Sequence, residues 1–210
     1  MCIRDRVVLS TALMQATIGR LAIMDALLDL CVAVTITCWF ATFSRGSGAA
    51  FVWGCVAAAL GILAKGPVAL LIPVLVVGGW ALWERRTRAL RFPSAASIAL
   101  GIAAGVIMTV PWFLAIGARE GGGALVTLLG HYTVGRYVGT IESQSGPWYY
   151  YFPVMLLGFF PWIAFLPAAA RSATRDVRRD DPAASLQRLA LAWSIVPFVF
   201  FSLAQTKLPN

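Results

Sequence analysis

Seven apolar runs follow one another along this chain, at positions 7–19, 21–43, 49–64, 66–83, 95–116, 148–170 and 189–204. Most approach the ~20 residues needed to cross the hydrocarbon core of a bilayer. That succession constrains the fold more than any other feature. In lipid every backbone N–H and C=O must find its partner inside the protein, which leaves helices or closed barrels. The runs lack the apolar–polar alternation of barrel strands, so the expected class is all-α, a polytopic transmembrane helical bundle. Composition agrees: 60% of residues are hydrophobic and 12% charged, against about 25% charged in soluble domains. The whole of 1–210 reads as one transmembrane domain of about seven apolar helices. The first run, 13 residues rising ~20 Å, is too short to span comfortably and reads as the tail of a longer span or a re-entrant piece.

The stretch 49–83 is too long for one crossing, and Lys65-Gly66-Pro67 interrupts it with a charge and a helix-breaking pair. Two helices are expected to meet at Lys65. Orientation follows from the basic residues. With the first run directed outward, 12 of the 17 Lys and Arg fall on the cytoplasmic side, including Arg45, Arg85, Arg86, Arg88, Arg91 and the stretch from Arg171 to Arg188. Five fall outside, as the positive-inside rule requires. Arg20, Asp25, Lys65, His131, Arg136 and Lys207 then share the extracytoplasmic face. The largest outer segment, 117–147, holds the one histidine and Gly121-Gly122-Gly123, and is long enough to cover a site.

These shared-face residues are the candidates for chemistry. Asp25 and Asp29 are one helical turn apart and so share a helix face, and ionisable groups within a span default to a functional reading. The bland reading is a carboxylate that caps or hydrates the helix end. Lys65 at a helix break presents an ammonium where a phosphate can meet it, or else anchors the helix by snorkelling. His131 and Arg136 lie five apart. An imidazole can ligate a divalent metal or move a proton, and a guanidinium can grip a phosphate through two parallel hydrogen bonds. No cysteine or carboxylate stands at ligand spacing from His131 to strengthen the metal reading. The aromatics in Pro147-Trp-Tyr-Tyr-Tyr151 and Pro161-Trp162 suit a membrane interface.

Other classes drop out. The net charge of +8 sits in clusters between apolar runs, without the soluble basic face that nucleic acid requires. Leu63-Ala-Lys-Gly66 lacks the upstream glycine and following Ser/Thr of a phosphate-binding loop, and no dinucleotide fingerprint occurs. Cys31, Cys38 and Cys55 lie inside apolar runs and form no disulfide framework. The opening Met1-Cys-Ile-Arg-Asp-Arg6 has no cleavage site of a signal peptide behind it. It reads either as a cytoplasmic flank or as non-native.

Six short motifs, in order, carry a resemblance: Gly19-Arg-Leu-Ala-Ile-Met-Asp25, Leu63-Ala-Lys-Gly-Pro67, Gly130-His131 with Arg136, Gly146-Pro-Trp-Tyr-Tyr-Tyr151, Phe160-Pro-Trp162, and the stretch 200–209 that contains Lys207. Together they resemble the family of bacterial lipid A aminoarabinose transferases and dolichyl-phosphate-mannose protein mannosyltransferases. The resemblance implies a GT-C-type fold in the bacterial inner membrane with its active face periplasmic. It implies a glycosyltransferase that moves a sugar from an undecaprenyl-phosphate carrier to a lipid, protein or glycan acceptor. Asp25 matches an aspartate near the active site, where it would position the acceptor or orient a cation. Arg136 and Lys65, with Arg20 and Lys207, would hold the carrier phosphate, and His131 matches a metal-contacting position, so a divalent metal is the implied cofactor. Gly130 replaces an acidic residue that often precedes this histidine.

The principal base of such enzymes is expected in a loop preceding this stretch, and another span is expected after Asn210. The 210 residues are therefore expected to be a truncated piece, inactive alone. A lipid transporter or permease subunit is the competing reading. It predicts internal repeats or paired broken helices, which the sequence lacks.

Overall fold

A computed structural model describes residues 7–8, 11–12, 24–85, 89–120, 123, 130, 147, 149–176 and 182–204. The described residues form helices and turns without a strand. Helix α1 is Met24–Arg45, with Asp25 in its first turn and Arg45 in its last, each sign matching the helix dipole. Gly46 then turns the chain at φ +78°. Ser47, whose hydroxyl accepts from the Ala50 N–H at 3.3 Å, opens α2, Gly48–Lys65. Helix α3 is Val68–Glu84 and α4 is Ala95–Glu120. Two shorter helices follow, α5 at Tyr151–Gly158 and α6 at Leu166–Asp176, joined through a 3-10 turn at Trp162–Phe165. The last helix, α7, is Pro182–Leu203.

Helices α1, α2, α4 and α7 are each long and apolar enough to cross a membrane, and α3 is a shorter apolar helix. Alternating contacts fix the ends of the bundle. Asp25 of α1 meets Lys65 of α2. At the other end Arg91 N–H donates to Phe43 O at 2.9 Å, Gly48 lies against Ser97, and Glu84 pairs with Arg188. The bundle thus has a Lys65 end and an Arg45 end. The first four helices run alternately between them.

Packing follows the logic of helices in lipid, where small residues that admit close backbone approach replace the hydrophobic drive of water. A Cβ on Gly54 would stand 2.4 Å from Trp39 Cδ1, and one on Gly61 would stand 2.8 Å from Ala69 Cβ. On α4, Gly101 lies against Cys55 and Phe51 of α2. A stripe at helical spacing, Val32, Ile36 and Trp39 of α1, meets Ile72, Val76 and Trp80 of α3 and Leu189 and Ala192 of α7 to form the core. Buried Thr35 donates to Cys31 O at 2.8 Å, and a longer 3.3 Å bond reaches Gly54 O on the neighbouring helix. Cys31, Cys38 and Cys55 are free thiols.

Three sequence expectations need correction. The run 148–170 is not one straight helix: α5 and the segment from Trp162 on are bent by 105°. Pro161 sits in the break; it has no N–H to donate and cannot continue the helical ladder. Helix α4 persists to Glu120, four residues beyond the apolar run that ends at 116 and into the segment expected at 117–147. Helix α7 starts at Pro182 rather than 189, because Arg188, counted above among the loop cations, is buried within it.

Candidate active site

The Lys65 end is built by three consecutive helices. Gly61 packs against Cys31 of α1 and Ala69 of α3, which draws the start of α1, the end of α2 and the start of α3 together. The break between α2 and α3 depends on Gly66, which takes φ 90° and ψ −168° while its N–H donates to Ile62 O at 2.8 Å. That region of backbone space is essentially open to glycine alone. Pro67 follows, and its carbonyl accepts from Leu70 and Leu71 at 3.0 and 3.1 Å.

This turn leaves Lys65 at the rim, where its Nζ donates to Asp25 Oδ1. The two side chains are 39% and 23% exposed. An ion pair this open contributes about 0–1 kcal/mol to stability, so holding the helices together is not a sufficient reason for it. Its chemistry is more telling. A half-exposed ammonium stands where α3 begins, and a helix N-terminus carries roughly half a positive charge from its aligned peptide dipoles. An anion at this rim meets the ammonium first, since the N–H groups of Ala69, Leu70 and Leu71 already bond the Gly66 and Pro67 carbonyls. Asp25 holds the ammonium in place and offers a second oxygen to a hydroxyl or a cation. Asp29, one turn deeper on α1, is exposed and has no ion-pair partner among the described residues.

Of the sequence candidates the structure therefore brings Asp25 and Lys65 together. Arg20, His131, Arg136 and Lys207 lie outside the described residues, as does most of the outer segment. Among the described residues no three His, Cys, Asp or Glu side chains gather in a way that could hold a metal ion. Asp25 is the carboxylate that meets Lys65 at the rim.

The aromatic residues divide. Tyr150 and Tyr151 meet edge-on at 5.4 Å, and Tyr151 reaches Phe201 of α7 at 6.4 Å. They line the part of α7 farthest from Arg188, as an interfacial belt would. Trp162 instead donates from Nε1 to Thr11 Oγ1 at 2.9 Å.

One pair escaped the sequence reading. Arg188 Nη1 donates to Glu84 Oε2 at 2.9 Å, with the two side chains 1% and 3% exposed. Periodicity carried the signal: Glu84 continues the stripe Ile72, Val76, Trp80 at steps of four, and Arg188 sits beside Leu189 on the buried face of α7. A charge on an apolar stripe is a buried charge in need of a partner.

Comparison with known proteins extends these observations. Residues 6–122 match the family described as dolichyl-phosphate-mannose-protein mannosyltransferase. The chain is 33% identical over 216 residues to an undecaprenyl phosphate-alpha-4-amino-4-deoxy-L-arabinose arabinosyl transferase of Pseudomonas aeruginosa (strain UCBPP-PA14), covering 98% of this chain and 37% of that protein. It is 30% identical over 215 residues to the protein of that name in Erwinia tasmaniensis, covering 97% and 36%. The crystal structure of ArnT from Cupriavidus metallidurans bound to undecaprenyl phosphate superposes with a TM-score of 0.74 at 27% identity, over 97% of this chain and 36% of that one. The apo form of the same protein gives 0.66 at 26% identity. The chain thus spans little more than a third of the length of these relatives. A family match over more than half of the chain and a shared helical architecture agree: the chain belongs to the dolichyl-phosphate-mannose-protein mannosyltransferase family.

Proposed function

We propose that this chain forms part of a membrane glycosyltransferase that moves a sugar from a polyprenyl-phosphate carrier to an acceptor at the periplasmic face of the bacterial inner membrane. The observation that carries the reading is the Asp25–Lys65 pair at the bundle rim beside the start of α3. It is supported by relatives whose names specify an undecaprenyl-phosphate-linked donor and by a solved relative bound to undecaprenyl phosphate. The dense basic residues of the Arg45 end point the Lys65 end outward by the positive-inside rule.

In the reaction a hydroxyl or phosphate oxygen of the lipid, protein or glycan acceptor attacks the anomeric carbon. The bond from that carbon to the carrier phosphate oxygen breaks, its electron pair leaves with the phosphate, and the acceptor proton passes to a base outside this stretch. Lys65 and Arg136, together with Arg20 and Lys207, stabilise the charge that grows on the leaving phosphate, a role of preorganised cations. Asp25 orients Lys65 and positions the acceptor. His131 is the residue of this chain that would hold a divalent metal, which would add a further positive centre at the phosphate.

The test uses the full-length protein to which this stretch belongs, in membranes with a polyprenyl-phosphate sugar donor. Asp25→Asn and Arg136→Ala should each abolish transfer while leaving membrane insertion intact. Wild-type transfer in both variants refutes the assignment. Movement of intact carrier across the bilayer without glycosyl transfer would favour the transporter instead.

A further inference from the structure

Glu84 and Arg188 lie at the opposite end of the bundle from Asp25 and Lys65, and the transfer chemistry uses neither. Glu84 closes α3 and Arg188 stands in the second turn of α7. Their 2.9 Å contact joins residues 104 positions apart with both side chains almost fully buried. The contact is backed by Trp80, Leu189 and Ala192, and the Trp80 ring meets Phe40 of α1 edge-on at 5.0 Å.

Beyond this layer α7 stays in touch with α3 through Val196 beside Gly79, and toward the Lys65 end an open apolar groove of about 300 Å³ is lined by Leu75 of α3 and by Ile195, Val196, Val199, Phe200 and Leu203 of α7. The ion pair adds a polar, directional contact to this apolar packing. A helix is stiff along its axis, rising ~1.5 Å per residue. From the pair, α3 runs back ~24 Å to Val68 and α7 runs forward ~22 Å to Leu203. The two arms match in length, each with one proline inside it, Pro73 and Pro197, and an axial slip at the pair moves both far ends with it. There α3 begins directly after Lys65-Gly66-Pro67, and α7 leads to the stretch that contains Lys207.

We infer that Glu84 and Arg188 are a positioning pair for the phosphate-binding end on the other side of the membrane: their charge-assisted contact fixes the axial register of α7 against α3, and with it the separation of Lys65 from Leu203 at the end of α7. The inference rests on the transferase reading for its catalytic consequence, and on the helix geometry alone for its structural one. A carboxylate–guanidinium contact suits the task, since it tolerates little slip where apolar surfaces slide.

The experiment uses the full-length protein to which this stretch belongs, with its cysteines replaced by alanine and spin labels at Leu71 and Leu203, both exposed. Three proteins are compared: wild type, Glu84→Gln, and the charge exchange Glu84→Arg with Arg188→Glu. In Glu84→Gln the inter-label distance should shift by about 1.5 Å or more, one residue of rise. The turnover number should fall about ten-fold or more, because misplacement of ~1 Å can cost up to ~10²-fold. Donor KM should change far less, and the charge exchange should recover both distance and turnover. An unshifted distance in folded Glu84→Gln overturns the inference, as does turnover that falls only in proportion to the folded fraction. Where Glu84→Gln does not fold, the exchanged protein decides alone: wild-type distance and turnover support the positioning role, and a wild-type distance with lost turnover overturns it. Should the wild type transfer no sugar, the transferase reading fails, while the distances still test the register.

Discussion

At residue scale Lys65 and Gly66 work together at the break between α2 and α3. Lys65 is half exposed and its bond to Asp25 is worth little in free energy, so exchanging that bond for one to an incoming anion costs little. Lys65→Met should accordingly move the thermal midpoint of the detergent-solubilised protein by no more than about 1 kcal/mol equivalent, while reducing sugar transfer by ~10²-fold or more. Lys65→Arg should retain part of the activity. Comparable thermal shifts and activity losses would make Lys65 a structural anchor. Gly66 is the complementary case. Its backbone conformation admits no Cβ without strain of roughly 1–3 kcal/mol, so Gly66→Ala should lower the midpoint and displace Lys65. The check is transfer activity, which should fall further than stability alone explains.

At the scale of elements, helix pairs here are matched by missing side-chain volume. Gly54 presses on Trp39 at a distance no real Cβ keeps, and Trp39 lies stacked on Phe51 with centroids 6.1 Å apart. Gly54→Ala should therefore destabilise the bundle by about 1–3 kcal/mol, the usual cost of overpacking. A Cβ on Gly105 would meet only Cys55 O, at 3.9 Å, an ordinary contact. Gly105→Ala should be neutral or slightly stabilising, since alanine is favoured over glycine in a helix by ~0.5–1 kcal/mol. Thermal unfolding of the two variants side by side checks the contrast, and equal effects would contradict the packing described. The helices themselves were readable from apolar runs and their breaks. Which faces touch was not, because periodicity in a lipid-facing helix is weak: both sides are apolar, and only small residues and stray charges mark the contact.

At the scale of the molecule, α4 turns much of its surface outward, with Ile107 70% and Leu114 65% exposed. Ile107 lies near the middle of the helix, where an arginine costs about 2.5–3.5 kcal/mol in insertion. Ile107→Arg should reduce the fraction of chain resistant to alkaline extraction from membranes, whereas Ile107→Leu should not. Unchanged resistance would place this face on protein or water.

By itself the sequence determined the solvent, the helical class and the break at Lys65, because each depends on composition within a run or on the charge and breaker residues between runs. It also marked Asp25 and Lys65 individually. Tertiary structure alone decided that these two meet, that the chain bends near Pro161, and that Glu84 and Arg188 find one another across 104 residues. Those outcomes depend on the angle and axial register at which helices pack. Register is set by the sum of many small contacts, and no single run of residues contains that sum.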